Sequence, residues 1–156
     1  GISFTESNFK VSNILFKRGV MMLTKEELDK YFNDDQYAQH VGIELLEVSA
    51  GRAKAKMDIK DYHLNSVGIV HGAALFALAD LVFSIASNSH GNIALAINAN
   101  IFFFQAAKEG TLIATGQEIS FSPRLANYKI DITNERSELI ATFQGMVYRK
   151  RERHYS

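Results

Sequence analysis

The sequence predicts an α+β domain in which an antiparallel sheet wraps around one long central helix. Residues 71–87 are rich in Ala and Leu and apolar on every side, which is typical of a helix that is buried on most faces. Residues 52–59 alternate between charged and apolar side chains, as a half-buried strand does. Strand-like segments fill most of the chain after the helix. A sheet curved around the helix buries the apolar surfaces of both.

The first half of the chain is predicted to contain a short helix and a hairpin. Thr24 and Glu27 have the Thr-x-x-Glu spacing of a capping box, so a helix is expected over residues 25–32. A hairpin with one solvated face follows, with strands over residues 43–48 and 52–59. A loop that contains Asn and Gly then leads into the long helix.

The second half is predicted to consist of strands joined by polar turns. The strands are expected at residues 94–104, 111–121, 128–133 and 139–149, as a meander. The longest apolar run in the preceding helix is Ala73–Ala79, seven residues, whereas roughly 18 to 20 are needed to cross a bilayer. We therefore expect a core helix and no membrane partner.

Length and composition limit the number of domains and the cellular compartment that we expect. With 156 residues the chain is expected to form one domain, residues 23–156, preceded by an N-terminal extension, residues 1–22. Lys10, Lys17 and Arg18 interrupt the extension, so it does not have the pattern of a secretory signal. The chain has no cysteine, which excludes disulfides, thiolate metal sites and a cysteine nucleophile. A cytoplasmic location is expected.

Charge and motif content exclude several classes of function. The 17 basic and 17 acidic residues give a net charge of zero, which argues against a nucleic-acid partner. The five histidines show no metal-binding spacing, and a metal site is not expected. The glycine motifs of nucleotide loops and of serine hydrolases are also absent from the sequence. No cofactor is expected.

Asp80 stands out because it is the one charged residue between positions 62 and 107, although 22% of the whole chain is charged. An ionised carboxylate on a buried helix is costly unless it is paired or used in function. The structural alternative is that Asp80 is exposed on one strip of the helix, or accepts hydrogen bonds from a nearby group such as Ser84, Ser87, Asn98 or Asn100. Asp80 is therefore a candidate catalytic residue.

The loop that begins at Asn65 and ends at His71-Gly72 forms a second candidate site. Free amides at a helix N-terminus can stabilise a carbonyl oxygen that gains negative charge; the alternative is an ordinary helix cap. Eight residues of helix place Gly72 and Asp80 about 12 Å apart along the axis, too far to contact one reacting carbon. Two antiparallel helices related by a two-fold axis would bring them together, so we expect a dimer with shared sites.

Asn65, His71-Gly72 and Asp80 resemble, in type and spacing, the motif of the PaaI-like acyl-CoA thioesterases of the hotdog-fold superfamily. The likeness covers residues 41–149. It implies that the Gly72 amide polarises a thioester carbonyl and that Asn65 helps to place the carbonyl or the attacking water. Asp80 of the opposite subunit would be general base or nucleophile. The resemblance gives His71 mainly a positional role, with general base as the lesser alternative.

One position departs from the resemblance, and several further residues are candidates for substrate binding. Where some relatives carry a Ser near the attacking water, this sequence has Ala96, with Asn98 and Asn100 nearby. The run at residues 101–104 is expected to be core and subunit packing, with the wall of an acyl tunnel as the alternative. The remaining candidates for contacts with the substrate are Phe76 and Phe83 for the acyl group, and Arg124 or the basic tail 149–153 for the phosphates of coenzyme A.

The predicted function is hydrolysis of acyl-CoA thioesters by a homodimer or a homotetramer. Coenzyme A would be part of the substrate and not a separate cofactor. A hydratase or dehydratase that acts on acyl thioesters is one alternative. A non-catalytic sensor that binds acyl-CoA is another.

Overall fold

The computed structural model describes residues 10–11 and 22–155, in which a seven-stranded sheet curves around one long helix. The predicted α+β architecture is confirmed. The α-helices of the described residues are α1 (Lys25–Asn33), α2 (Gln36–Val41) and α3 (Gly72–Asn88), and a short 3-10 turn spans Asp61–His63. The strands are β1 (Lys10–Val11), β2 (Ile43–Ser49), β3 (Arg52–Asp58), β4 (Asn92–Phe103), β5 (Thr111–Phe121), β6 (Leu125–Thr133) and β7 (Leu139–Arg153).

The order of strands across the sheet is β1-β2-β3-β5-β6-β7-β4. The short β1 is parallel to β2, and every other neighbouring pair is antiparallel. The prediction of a meander holds for β5, β6 and β7 but is wrong for β4, which pairs with β7 at the far edge. Between β3 and β4 the chain passes through α3, and this crossover lets β5 take the place beside β3.

The two short helices begin at side-chain caps. The predicted capping box of α1 is present, because Thr24 Oγ1 accepts the Glu27 amide at 3.2 Å and Glu27 Oε2 accepts the Thr24 amide at 2.8 Å. The sequence interpretation missed α2, which has six residues and is too short for a helical period to be recognised. Asp35 Oδ1 caps α2 by accepting the Ala38 amide at 2.9 Å. Gly42, with φ 85°, ends it.

Helix α3 lies close against the sheet because glycines leave room for its side chains. A Cβ atom at Gly116 would lie 2.5 Å from Val82 Cγ1, and one at Gly145 would lie 2.6 Å from Cζ of Phe83. Phe83 is 1% exposed. The core of the domain therefore lies between α3 and the concave face of the sheet, the face that contacts the helix.

The start of β6 and the C-terminal end of β7 differ from the prediction. Strand β6 begins at Leu125 and not at 128, because its first residues pair with both β5 and β7. Strand β7 continues past residue 149 through the basic tail to Arg153, which pairs with Asn92 of β4. Of the predicted extension, residues 1–22, only 10–11 and 22 belong to the described part of the chain. None of the helices in the described residues is long and apolar enough to span a bilayer.

Strand β4 forms one edge of the sheet and is open on both faces. Leu95 is 51% exposed, and Phe102 and Phe103 are 62% and 53% exposed. Ile101 is partly buried and packs against the core, whereas Phe102 and Phe103 do not belong to the core of one chain, so the expectation of core packing for residues 101–104 holds within the chain for Ile101 alone. The reason is the position of β4, because no strand among residues 10–11 and 22–155 pairs with its outer side. Subunit packing of this segment stays a prediction.

Candidate active site

The loop before α3 is held in shape by the side chain of Asn65. Its Oδ1 accepts the amides of Val67 at 3.1 Å and Ile69 at 3.2 Å, and its own backbone amide donates to the Ile69 carbonyl at 2.8 Å. Gly68, with φ 76°, allows the turn. Because the side-chain oxygen is used within the loop, the Nδ2 group is left as the donor. No acceptor for Nδ2 lies among the described residues.

The first turn of α3 leaves one backbone amide free. His71 is the N-cap, and its Nδ1 accepts the Ala73 amide at 3.0 Å. The amides of Ala74 and Leu75 donate to the His71 carbonyl at 2.9 and 3.3 Å. Within residues 22–155 the Gly72 amide has no acceptor. Gly72 is therefore the donor that an external oxygen can use at this helix N-terminus.

The role of His71 follows from the same contacts. Because Nδ1 accepts a hydrogen bond, a neutral His71 ring carries its proton on Nε2. A ring nitrogen that already caps the helix is not available to take a proton from water. The geometry therefore favours the positional role for His71 over the general base.

The Phe103 ring lies directly against Gly72. A Cβ atom at Gly72 would lie 3.0 Å from Phe103 Cζ. The absence of a side chain at Gly72 therefore allows β4 to lie this close to the helix N-terminus. The aromatic run on β4 thus contributes one wall beside the free amide.

Asp80 lies in the middle of α3 and is open to solvent on one side. Within the described residues its carboxylate has neither a hydrogen bond nor an ion pair. Burial against its surroundings raises the pKa of this carboxyl above its ordinary value, and the negative charge of Asp35 raises it further. Of the structural alternatives, exposure on one strip of the helix is the one observed. Ser84 and Ser87 direct their hydroxyls to Tyr31 and to the Ser84 carbonyl instead.

Two cavities lie along the groove between α2 and α3. The first has a volume of about 340 Å³, and Asp80 and Phe76 are on its wall. The second has a volume of about 640 Å³, and His71 is on its wall. Tyr37 and Ala73 line both cavities. The candidate residues His71, Phe76 and Asp80 are therefore joined by one groove.

The free amide and the carboxylate do not meet within one chain. Gly72 and Asp80 are eight residues apart on a continuous α-helix, which separates them by about 12 Å along its axis. A thioester carbonyl bound to the Gly72 amide is therefore out of reach of the Asp80 carboxylate of the same chain.

Four of the predicted substrate-binding residues lie away from the groove. Phe83 packs in the core against Tyr128 and Phe143. Asn98 and Asn100 pair with two residues of β7 that point away from α3, so both lie on the convex face of the sheet.

Arg124 is the fourth of these residues. Its Nη1 donates to the Arg149 carbonyl at 2.6 Å. Arg149 pairs with Ala94 across the sheet. The Ala94 amide donates a hydrogen bond to the side chain of Asn88, which lies at the C-terminal end of α3. Within one chain, Arg124 is therefore at the opposite end of the helix from Gly72.

The sequence interpretation missed two residues of the groove, Asp35 and Tyr37. Asp35 is the N-cap of α2 and Tyr37 lies in its first turn, and α2 is the helix that was not predicted. The sequence signal for α2 was Asp35, a residue type that is common at helix N-caps, seven positions before a glycine.

Within the described residues there is no group of three or more His, Cys, Asp or Glu side chains that could hold a metal ion.

Comparisons with known proteins place this chain among thioesterases. The family model of the thioesterase superfamily matches residues 67–141. A protein of Archaeoglobus fulgidus that is named as an esterase is 39% identical over 125 residues, which cover 80% of this chain and 81% of that protein. The acyl-coenzyme A thioesterase PaaI of Escherichia coli is 33% identical over 119 residues, which cover 76% of this chain and 85% of PaaI.

Solved structures show the same fold. The structure of the Escherichia coli PaaI protein superimposes with a TM-score of 0.79 at 30% identity, over 82% of this chain and 94% of that one. A thioesterase protein of Streptococcus pneumoniae, solved with coenzyme A, gives a TM-score of 0.74 at 21% identity, over 80% of this chain and 98% of that one. At that identity the second comparison shows the fold alone.

Proposed function

Since the chain belongs to the PaaI-like thioesterases of the hotdog-fold superfamily, we propose that it hydrolyses acyl-CoA thioesters to a free acid and coenzyme A. One observation carries this proposal. Helix α3 has a single free amide in its first turn, at Gly72, and a carboxylate without a partner among the described residues, at Asp80. The two groups are what acyl transfer to water requires, a donor for the carbonyl oxygen and a base for the water.

In this mechanism the Gly72 amide donates to the thioester carbonyl oxygen. Negative charge grows on that oxygen as the carbonyl carbon becomes tetrahedral, so the hydrogen bond is stronger in the transition state than in the bound substrate. Asn65 Nδ2 is a second donor, for the carbonyl or for the attacking water. The loop amides hold the Oδ1 atom of Asn65, so the position of the Nδ2 group does not depend on the substrate.

Asp80 has two possible roles in the hydrolysis. As general base it accepts a proton from water while the water oxygen bonds to the carbonyl carbon, and the C–S bond then breaks to release coenzyme A. As nucleophile its own oxygen bonds to the carbonyl carbon, the C–S bond breaks to release coenzyme A, and water then hydrolyses the resulting anhydride to the free acid and the restored Asp80 carboxylate. A single turnover in water labelled with oxygen-18 tests the nucleophile role, because label enters the Asp80 carboxylate only when water attacks the Asp80 carbonyl of the anhydride.

The catalytic site is proposed to be shared between two subunits. The separation of about 12 Å along α3 prevents Gly72 and Asp80 from acting on one carbonyl within a chain. Strand β4 has an unpaired edge in the described part of the chain and exposed apolar side chains on both faces. An exposed edge of this kind favours pairing with another strand. A two-fold contact through β4 would form two equivalent sites, and a homodimer or a homotetramer of such dimers fits this arrangement.

Thiol release from a panel of acyl-CoA substrates tests the activity. We expect the parent protein to release free thiol and the Asp80→Asn variant to lose at least about 10²-fold in turnover while keeping its fold and its assembly. Undiminished turnover in Asp80→Asn would remove Asp80 from the mechanism. Loss of an enoyl-thioester without thiol release would favour a hydratase, and binding without product would favour a sensor.

Hybrid oligomers test the sharing of the site. Asp80→Asn subunits are refolded together with Gly72→Pro subunits, which lack the free amide. If the site is shared, half of the dimers are hybrids with one intact site each, so the mixture should regain about a quarter of the parental activity. If each site lies within one chain, the mixture stays as inactive as the separate variants.

The predicted cytoplasmic location and the phosphate contacts of Arg124 stay predictions.

A further inference from the structure

We propose that Asp35 is a positioning residue of the hydrolysis, and that its carboxylate acts through Asp80 across the cavity that both residues line. This inference rests on the function proposed above. Asp35 is the N-cap of α2 and Asp80 lies on α3, and each is on the wall of the same cavity of about 340 Å³.

The position of Asp35 is fixed by its role as a helix cap. Oδ1 accepts the Ala38 amide at 2.9 Å, so the carboxylate cannot turn away from α2 without losing this hydrogen bond. Ala38 is 2% exposed, which ties the cap to the core of the domain. Asp35 therefore presents a carboxylate to the cavity from a place that the fold determines.

The groups that face Asp80 leave its charge uncompensated. Asp35 at the N-cap of α2 and Tyr37 within α2 line the cavity. Tyr31 on α1 interacts electrostatically with both carboxylates, and its hydroxyl is 2.7 Å from Ser84 Oγ. Within residues 22–155, Asp80 has no ion pair with a lysine or an arginine.

A second carboxylate near an unpaired first one makes the first a stronger base. Burial raises the pKa of Asp80, and the charge of Asp35 raises it further. A general base transfers a proton from water more effectively as its pKa comes closer to the working pH. The N-cap of α2 therefore takes an electrostatic part in the reaction through Asp80.

A purely structural role for Asp35 is separated from this one by an isosteric substitution. Asparagine caps helices about as well as aspartate, so Asp35→Asn keeps the hydrogen bond to Ala38 and removes only the charge. Asp35→Ser, which also retains a capping oxygen, serves as a second variant if the first does not fold. Asp34→Asn is the matched control. It removes the same charge one residue away, where the carboxylate pairs with Lys30 at 2.6 Å and does not line the cavity.

The experiment combines two measurements on the full chain. The first is a titration of the Asp80 carboxyl carbon by nuclear magnetic resonance, and the second is the dependence of kcat/KM on pH with an acyl-CoA substrate. In Asp35→Asn we expect the titration midpoint of Asp80 and the acidic limb of kcat/KM to move to lower pH together, by about half a unit or more. In Asp34→Asn both should stay at the parental values.

An Asp80 midpoint that is the same in Asp35→Asn as in the parent overturns the proposal. A midpoint that moves without the acidic limb of kcat/KM also overturns it, because the coupling then has no part in the reaction. If the parent releases no thiol from any acyl-CoA, the proposed function fails, and the resonance titration alone still decides whether the two carboxylates are coupled.

Discussion

Replacing Gly72 by proline removes the one amide that the first turn of α3 leaves free. Gly72 is the first residue of the helix, the position at which proline is best tolerated, because its missing N–H has no partner in the helix in any case. His71 has φ −61° and ψ 137°, an extended conformation that is compatible with a following proline. The helix should therefore form while its external donor is lost.

The expected cost follows from the number of donors. Ala73, Ala74 and Leu75 direct their amides to His71, so Gly72→Pro removes the whole backbone contribution of this turn to the carbonyl oxygen. Loss of one such donor typically lowers kcat by about 10² to 10³-fold, which corresponds to about 2.7–4 kcal/mol of transition-state stabilisation.

Gly72→Ala is the matched control, because it keeps the amide and adds only a Cβ atom. This atom would lie 3.0 Å from Phe103 Cζ, and the Phe103 ring is 53% exposed, so it can shift. We therefore expect a smaller loss of kcat in Gly72→Ala than in Gly72→Pro. Thiol release under saturating acyl-CoA measures kcat, and circular dichroism checks that α3 is intact. If the proline variant is folded and turns over as fast as the alanine variant, the Gly72 amide is not the donor.

Two further predictions concern stability. Gly145→Ala should lower the free energy of unfolding by about 1–3 kcal/mol, since its Cβ would lie 2.6 Å from Cζ of buried Phe83. Chemical denaturation should show that adding Phe83→Leu to Gly145→Ala restores part of the lost free energy of unfolding. An unchanged denaturation midpoint in Gly145→Ala would contradict the prediction. Burial acts to raise the pKa of Glu118, but hydrogen bonds from His90 and Tyr128 outweigh it and hold the pKa below its ordinary value of 4.5. The resulting stability is present above about pH 4.5 and is lost as pH falls through the lower folded-state pKa. Urea unfolding across this range should show a steeper acid loss in the parent than in Glu118→Gln, and parallel curves would refute the assignment.

Most of the secondary structure could be predicted because its signals are local. The capping box at Thr24 and Glu27, the alternation in β3 and the all-apolar α3 each depend on residues close in sequence. Helix α2 was missed because six residues are too few for a helical period to appear. The place of β4 was predicted wrongly because strand order depends on how the chain crosses the sheet, which no local pattern records.

The residues of the candidate site could also be predicted only in part. Asn65, His71 and Gly72 could be identified because one loop and one helix end hold all three, and Asp80 because no other charge occurs nearby in the sequence. Phe83, Asn98 and Asn100 were assigned to the substrate because they are near Asp80 in the chain or on the next strand. Their directions depend on the strand register and on the packing of α3, which send Phe83 into the core and both asparagines to the convex face.

The sequence by itself determined most of the elements of this protein and the helix that bears its chemistry, because helix caps, hydrophobic periods and an isolated charge are properties of neighbouring residues. The tertiary structure alone decided that Asp35 and Tyr37 share a groove with Asp80, that the Gly72 amide stays free, and that β4 is left at an open edge. These features depend on contacts between residues far apart in the chain. Such contacts are set by the packing of α2 and α3 and by the course of the chain across the sheet, and they cannot be read from the order of the residues.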